Sequence, residues 1–253
     1  MAKEWITGRN PVYEVMRAQR RDLFRLLVAR GVDEKGRLSE ILQLAPLRRL
    51  KVELVPRQQL DSLLAGGSIE NHQGVAIEVS TYPYSTLFDI QELAKQRDEP
   101  LFVLALDVIQ NPQNLGTLLR TAEAVGVHGI LLPLARAAGI TPAVVHASAG
   151  ASEHLLVASA NLAQSLQTLK NTGAWVTGLE GSPEAQPVEQ VRLDGPLALV
   201  VGSEGEGMRD LVRRHCDTLV RLPMRGQIES LNAAVAGSVI LYMALAAREK
   251  ARG

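Results

Sequence analysis

The sequence predicts an α/β protein with a small N-terminal α/β domain and a larger C-terminal domain that contains a mostly parallel sheet. In residues 101–250, short apolar runs alternate with segments of helical periodicity. This alternation is typical of parallel strands joined by helices that cover both faces of a sheet. A stretch richer in turn formers and charges, 81–100, separates this region from the first part of the chain. We therefore predict domains at 1–80 and 99–253, joined by a linker at 81–98.

The predicted elements follow from periodicity along the chain. In the N-terminal domain we expect strands at 23–30, 51–56 and 74–80 and a helix at 38–50. A short helix is expected at 87–96 inside the linker. The C-terminal domain has strand patterns at 101–107, 128–133, 174–180, 197–201 and 218–223, and helix patterns at 114–126, 161–172, 207–215 and 230–250. Ligands of such sheets bind beyond the carboxyl ends of the strands, so the loops after the strands are the places to search.

The overall charge is balanced, with 27 basic and 27 acidic residues in 253. Residues 17–51 nevertheless hold ten basic side chains and only four acidic ones. Such a segment is either a solvated face or a local surface for nucleic acid, and the sequence alone leaves both open.

The histidine and cysteine content argues against metal and disulfide chemistry. Cys216 is the single cysteine, which excludes an internal disulfide and favours a reducing, cytoplasmic location. The five histidines lack paired ligand spacing, so we predict no metal site. No apolar run approaches the ~18 residues of a membrane span and no signal core is present, so no membrane partner is expected.

The first candidate loop is 107-DVIQNPQNLGTLLRTAEAVG-126. Asp107 ends a strand and Asn114 stands where a helix N-cap is expected. Gly116 and Arg120 are four residues apart on a face distinct from the apolar stripe. A glycine in the first turn of a helix costs roughly 0.5–1 kcal/mol against alanine, and clearing space beside the Arg120 guanidinium is one reason for it. The alternative is a surface Arg120 that pairs with Glu123 or with nothing.

The second candidate loop is 198-ALVVGSEGEGMRD-210. Its glycines Gly202, Gly205 and Gly207 follow the order G-x-x-G-x-G, which is not the dinucleotide fingerprint, and no P-loop lysine follows. Glu204 at the end of the strand suits a cation or a hydroxyl better than a phosphate. The alternative is a helix that starts at 206–209, with Glu206 beside its positive end.

The third candidate loop lies within 221-RLPMRGQIESLNAAVAGSVILYMALA-246. Ser230 and Asn232 are candidate polar site residues, although either could simply cap the helix that follows. The small residues Ala233, Ala234, Ala236, Gly237 and Ser238 predict a close approach by another helix or another subunit.

Taken together, the three loops resemble the motifs of the SpoU-type RNA 2′-O-ribose methyltransferases of the SPOUT superfamily. The segment 147-ASAGASEHLLV-157 is similar to one common in the bacterial ribosomal-RNA branch. The segments 8-GRNPVYEVM-16 and 71-NHQGVAIEV-79 resemble the ribosomal-protein-like RNA-binding domain that precedes the catalytic domain there. The likeness is greatest to the enzymes that methylate a guanosine in 23S rRNA.

The resemblance implies a deep trefoil knot in the C-terminal domain, a homodimer formed through that domain, and S-adenosylmethionine as the cofactor. It places the cofactor among loops that end at Leu179-Glu180, start at Gly202 and span 222–231. The cofactor-binding residues that it implies are Leu179, Gly202, Leu222, Met224 and Leu231. The implied partner is RNA, with 23S rRNA foremost, and not DNA.

The resemblance also implies the catalytic residues. Arg120 matches the arginine that binds the substrate phosphate and assists removal of the 2′-proton, while Asn114, Glu204, Ser230 and Asn232 match the polar positions around it. No histidine lies in the three loops, so a histidine base has no candidate. No metal is required.

Four positions depart from the family pattern: Ala233-Ala234 stands for Val-Ser, His146 for a lysine, and Asn111 for an aspartate. Because the presumed catalytic positions are intact, we expect an active enzyme. The alternatives are a family member that acts on tRNA or on an rRNA adenosine, including a resistance methylase, and an RNA-binding assembly factor without catalysis. A generic nucleotide-dependent enzyme is excluded by the order of the glycines.

Overall fold

The structure, a computed structural model, describes residues 2–64, 71–228 and 230–252. Contacts between Cα atoms divide the chain into an N-terminal unit, Met1–Pro83 with Ile140–His154, and a C-terminal unit, Tyr84–Gly139 with Leu155–Gly253. The domain boundaries at 1–80, 81–98 and 99–253 stay a proposal. None of the described helices is long and apolar enough to cross a membrane.

The elements follow one another in this order: β1 (Lys3–Thr7), α1 (Arg9–Ala18), β2 (Leu23–Ala29), α2 (Arg37–Leu47), β3 (Val52–Val55), α3 (Arg57–Leu64), β4 (Val75–Ser80), α4 (Leu87–Gln96), β5 (Phe102–Leu106), α5 (Pro112–Ala124), β6 (Gly129–Pro133), α6 (Pro142–Ala147), β7 (Leu156–Ala160), α7 (Leu162–Asn171), β8 (Trp175–Leu179), β9 (Gln186–Pro187), β10 (Leu197–Val201), α8 (Asp210–Arg213), β11 (Thr218–Arg221) and α9 (Ala233–Arg252). Short 3₁₀ turns lie at Ala151–His154 and Val188–Gln190.

The N-terminal unit is built on a four-stranded sheet in the order β1-β4-β2-β3. β2 and β3 are parallel, and the pairs that involve β4 are antiparallel. Alternate residues of the strands point to opposite faces. One face packs against Leu60 of α3 through a cluster of Leu27, Ala29, Val55 and Ala76.

A buried ion pair joins the segment 140–154 to the rest of this unit. The Arg21 Nε and Nη2 atoms each donate to Glu153 at 2.8 Å, and neither side chain has any exposed surface. Arg21 also contacts Glu4 and donates to the Ser80 carbonyl at 3.1 Å. Glu4 and Glu153 share the Arg21 guanidinium, so each charge in this cluster contacts an opposite one, which is the condition under which buried ions are tolerated.

The C-terminal unit contains a seven-stranded sheet in the order β7-β6-β5-β10-β8-β11-β9, and all its paired strands are parallel. β5, β6 and β10 are buried along their whole length. Because the strands are parallel, their carboxyl ends meet at one edge, where β5, β10 and β11 lead into the three candidate loops and β8 leads into the loop that begins at Glu180. The α/β fold class with its mostly parallel sheet is confirmed, whereas the knot stays a prediction.

Helices α5 and α9 pack closely against each other on this sheet. A side-chain carbon at Gly237 would lie 2.6 Å from the Leu118 Cδ2 atom, so a larger residue there would require Leu118 to move. The hydroxyls of Thr121 and Ser238 are 2.9 Å apart across the same contact. The small residues of α9 predicted a close approach by another helix or another subunit, and the structure shows that α5 is such a helix.

The predicted strands are confirmed within one or two residues, but β1, β7 and β9 and helices α1, α3 and α6 were missed. The missed strands are polar, broken by small residues, or only two residues long, so they lack an apolar signal. The helix predicted at 207–215 covers only Asp210–Arg213, because the glycines before it form a turn. The helix predicted from 230 begins at Ala233.

Candidate active site

The loop after β5 is shaped by Asn111 and Pro112. The Asn111 side chain accepts a hydrogen bond from the Gln113 amide at 2.8 Å and caps α5, and Pro112 takes the first helical position. The prediction that Asn114 is the cap is wrong, because Asn111 already does this. Asn114 lies instead in the first turn of α5, and its side chain reaches towards the loop after β10.

Asn114, Glu204 and Asn232 form a hydrogen-bonded group that we call the polar triad. The Asn114 Nδ2 donates to Glu204 at 2.8 Å, and the Asn232 Nδ2 donates to both Asn114 Oδ1, at 3.2 Å, and Glu204. The Asn232 Oδ1 accepts from the amides of Ala234 and Val235 at 3.0 and 3.1 Å and so caps α9. Asn232 therefore caps α9 and also contacts Asn114 and Glu204, so the cap that the sequence offered as an alternative does not exclude a role in the site.

The glycines after β10 form a closed turn. Ser203 and Gly207 exchange two backbone hydrogen bonds of 3.0 and 3.1 Å, and Gly205 and Gly207 have φ of 84° and 67°. A side-chain carbon at Gly202 would lie 2.3 Å from the Gly207 carbonyl carbon and 2.4 Å from the Met208 nitrogen. Glu206 therefore lies in this turn and not at a helix start, since α8 begins at Asp210.

A buried carboxylate holds the loops after β5 and β10 together. Asp107 has no exposed surface and accepts bonds of 2.8 Å from both the backbone N and the Nε of Arg209. The next residue, Val108, has a φ of 60°, an uncommon conformation for a β-branched side chain. Backbone strain of this kind persists where surrounding contacts fix it, often at functional sites.

A cleft of about 770 Å³ opens at the carboxyl edge of the sheet. All five residues that the resemblance implied for the cofactor line it, namely Leu179, Gly202, Leu222, Met224 and Leu231, as do Ser230, Glu204 and Asn232. A smaller slot of about 320 Å³ lies beside it and shares Ser203, Glu204 and Glu206 with it. We call these two cavities the cleft and the slot.

Another cavity of about 580 Å³ lies at the amino ends of β8, β10 and β11, lined by Trp175, Leu197 and Thr218 among others. Ligands of parallel sheets bind at the opposite, carboxyl edge. The polar triad also lies at that edge, so we assign the functional site to the cleft and the slot.

Glu180 and Arg213 form an ion pair on the wall of the cleft. The Arg213 Nε donates to Glu180 at 2.9 Å, and its Nη2 donates to Glu184 at 2.7 Å. Burial acts to raise the pKa of Glu180, but the hydrogen bonds and charge of Arg213 outweigh it, so this pKa is lowered. Hydrogen bonds from Arg213 to Glu180 and Glu184 raise the pKa of Arg213.

Burial raises the pKa of Cys216 to about 12, which leaves its thiol protonated and a poor nucleophile near neutral pH.

Arg120 stands apart from the other predicted catalytic residues. It is exposed on α5, whereas Gly116 one turn earlier is buried, so the two do not share an open face. Arg120 makes no hydrogen bond or ion pair with the residues that the structure describes, and the predicted alternative of a pair with Glu123 does not form among them. It lines neither the cleft nor the slot. Its guanidinium is thus available to an external anion.

Sequence reasoning missed the roles of Arg209 and Arg213. Asp107 gave a usable signal, because it is a charged residue that directly follows a fully apolar strand and must find a partner. Nothing marked Arg209 as that partner, since it lies 102 residues further along the chain. Among the described residues, no group of three or more His, Cys, Asp or Glu is placed to hold a metal ion.

The fold and the site together define a parallel α/β domain with a cleft between its carboxyl-end loops, next to a hydrogen-bonded polar group. Residues 101–242 match the SpoU rRNA Methylase family, and residues 5–85 match the domain described as RNA 2′-O ribose methyltransferase substrate binding. The chain belongs to the SpoU rRNA methylase family, and it is an RNA 2′-O-methyltransferase of the SpoU/TrmH type.

The similar proteins are named as methyltransferases. A Bacillus subtilis protein named as a TrmH family tRNA/rRNA methyltransferase is 42% identical over 243 residues, 94% of each chain. The 23S rRNA (guanosine-2′-O-)-methyltransferase RlmB of Pseudomonas putida is 38% identical over 250 residues, 98% of each chain. The SpoU methyltransferase AviRb of Streptomyces viridochromogenes, solved with AdoMet, has the same fold, with a TM-score of 0.76 at 23% identity over 99% of this chain and 92% of that one.

Proposed function

We propose that this protein transfers a methyl group from S-adenosylmethionine to the ribose 2′-OH of a guanosine in 23S rRNA. The observation that carries the proposal is the polar triad, which joins all three candidate loops beside the cleft. The end-to-end similarity to the Pseudomonas putida guanosine methyltransferase supports the choice of substrate.

The residues of the cleft fit S-adenosylmethionine. Leu179, Leu222 and Met224 offer an apolar surface, and Gly202 lets the backbone of the turn come close. Glu180, Glu204, Glu206 and Asp210 give the cleft more negative than positive charge, which favours a sulfonium cation. The cofactor would supply an electrophilic methyl group there.

Gly202→Ala tests this fit. The added methyl group would overlap backbone atoms of the turn, and we expect the displaced turn to weaken cofactor binding by roughly 10- to 100-fold, the equivalent of an overpacking cost of about 1–3 kcal/mol. Isothermal titration calorimetry with S-adenosylmethionine measures the change. Gly195→Ala is the control, since nothing lies within 4 Å of the added atom there. Equal affinities in the two variants would contradict the proposed cradle.

The chain's own residues can position the ribose for methyl transfer. A 2′-OH is a weak nucleophile, and it must be held in line with the methyl group and lose its proton. The polar triad can hold the hydroxyl, because Glu204 accepts hydrogen bonds at the boundary between the cleft and the slot. Arg120 has no partner among the described residues, so we assign it to the phosphate of the substrate, where its charge also eases loss of the 2′-proton.

A homodimer is part of the proposal. Val235, Val239 and Tyr242 lie on one face of α9 and are 49%, 41% and 54% exposed. Their spacing of four and three residues makes an apolar stripe on a helix whose other side is already covered by α5. A second copy of this chain would bury the stripe.

We propose the cytoplasm as the location, in keeping with a ribosomal substrate.

Val239→Asp tests the dimer. A carboxylate in the middle of the stripe would be desolvated on association, so we expect the variant to be a monomer at concentrations where the wild type is a dimer. Size-exclusion chromatography with light scattering measures the mass. Lys250→Gln, in the last turn of the same helix, lowers the net charge by the same amount and is the control for the change in charge. A dimeric Val239→Asp protein would rule out this face.

The proposed function is tested with labelled S-adenosylmethionine and separated 23S rRNA, 16S rRNA and tRNA. Methylated positions are mapped by primer extension that is sensitive to 2′-O-methylation. One 2′-O-methylguanosine in 23S rRNA is the expected result. Label in tRNA alone would retain the chemistry and change the substrate. Cofactor binding without transfer to any RNA would leave an RNA-binding assembly factor.

A further inference from the structure

We propose that the slot holds the base of the target nucleotide and that the Glu206 carboxylate selects guanine there. This inference rests on the proposed function and names the residue that would set its substrate specificity. The slot has an apolar side, formed by the nearly buried Val108 and Ile109, and a polar rim that includes Gln110, Asn111 and Glu206. Ligand sites combine these features, with apolar walls and a few polar groups that fix orientation, and begin at volumes of roughly 300 Å³.

The position of the slot matches the geometry of a nucleotide. Asn232 lines the cleft, Asn114 lines the slot, and Glu204 lines both. A 2′-OH that accepts a methyl group from the cleft must lie at this boundary. The base is attached to the carbon next to the 2′-carbon, so a 2′-OH held at this boundary leaves the base within reach of the slot.

The hydrogen-bonding groups of the rim complement guanine. A carboxylate only accepts hydrogen bonds, and the Watson–Crick edge of guanine offers two adjacent donors, N1–H and the N2 amino group. Adenine presents an acceptor at N1, which a carboxylate repels. The Asn111 Oδ1 is occupied by the cap of α5, so its Nδ2 is left to donate to an acceptor such as guanine O6.

Glu206 is positioned for this task by the turn that carries it. The turn is closed by the Ser203–Gly207 hydrogen bonds and anchored through Glu204 to the two asparagines. Glu206 itself accepts no side-chain hydrogen bond and forms no ion pair with the described residues. A fixed backbone thus presents an unused carboxylate to the slot.

The experiment compares the wild type with Glu206→Gln, both as full-length protein, on an rRNA fragment that contains the mapped target. The target is a guanosine, an inosine, which lacks the N2 amino group, or an adenosine. For the guanosine RNA we expect the kcat/KM of Glu206→Gln to fall by roughly 10- to 100-fold, the loss that follows when a bidentate contact is broken. Replacing guanosine by inosine should lower the kcat/KM of the wild type by more than that of Glu206→Gln. In the variant, the contact with the N2 amino group is already weakened. Because Glu206 also borders the cleft, affinity for S-adenosylmethionine, measured by calorimetry, should fall by much less than kcat/KM.

Glu189→Gln, the same change at an exposed glutamate outside both cavities, is the matched control and should behave as the wild type. The inference is overturned if Glu206→Gln retains its activity on guanosine, or if the guanosine-to-inosine ratio is the same in both proteins. A fall in cofactor affinity equal to the fall in kcat/KM would also overturn it and assign Glu206 to the cofactor. A wild type that methylates none of the RNAs would instead disprove the proposed function itself.

Discussion

Arg120→Ala is expected to lose methyl transfer, by at least about 100-fold in kcat/KM, while its affinity for S-adenosylmethionine stays within about twofold of the wild type. The size of the loss is typical of removing one group that stabilises developing charge. Cofactor affinity should persist, because Arg120 does not line the cleft. Transfer to the mapped rRNA fragment and calorimetry with the cofactor measure the two effects.

Arg97→Ala and Arg120→Lys complete this test. Arg97 is an exposed arginine at the end of α4, away from the three loops, and its removal should leave activity unchanged. Lysine keeps the charge of Arg120 but not the forked donors, so partial rescue would point to simple phosphate attraction. If Arg120→Ala loses cofactor binding together with activity, the role assigned to Arg120 is wrong.

Glu153→Ala is expected to lower the stability of the N-terminal unit by about 3–5 kcal/mol, because it leaves the fully buried Arg21 without its bidentate partner. The measurement is urea unfolding followed by the fluorescence of Trp5. It is made in a Trp175→Phe background, since Trp5 and Trp175 are the two tryptophans of the chain. The midpoint should fall by more than about 1 M urea.

An exposed pair in the same unit supplies the control. Arg25 and Glu53 are 2.9 Å apart with 43% and 36% of their side-chain surfaces exposed, and Glu53→Ala should cost under about 1 kcal/mol. The triple change Glu4→Gln, Arg21→Met and Glu153→Leu should recover most of the stability, because it removes all three charges of the cluster together. If Glu153→Ala is no more destabilising than Glu53→Ala, the Arg21–Glu153 pair does not stabilise the N-terminal unit as its burial indicates.

Most of the fold was predictable because its central strands are continuous apolar runs. Leu197–Val201 was predicted to the residue, since a strand buried on both faces has no polar interruption. Leu156–Ala160 was missed because its small and polar residues resemble a loop, although it pairs with β6 along its full length. In that case tertiary pairing decided the structure, and local preference did not.

The three residues of the polar triad were named from the sequence, but their contacts were not. The resemblance supplied Asn114, Glu204 and Asn232, whereas their shared hydrogen bonds join residues 90 and 118 positions apart and leave no trace in local spacing. The cap of α5 was assigned to Asn114 because both asparagines are good caps, and the Asn111-Pro112 order, with proline at the first helical position, was the overlooked signal. Glu153 had no signal at all, because nothing in the composition of 140–154 relates it to Arg21.

The tie between Arg21 and Glu153 also bears on how the chain folds as it is made. The N-terminal unit ends at His154, which is added 71 residues after Pro83 (154 minus 83). At synthesis rates of roughly 5–20 residues per second, that interval lasts about 4–14 s. During this time Glu153 has not been synthesised and cannot pair with Arg21. The first 83 residues therefore cannot complete the fold of the N-terminal unit until the segment 140–154 has been made.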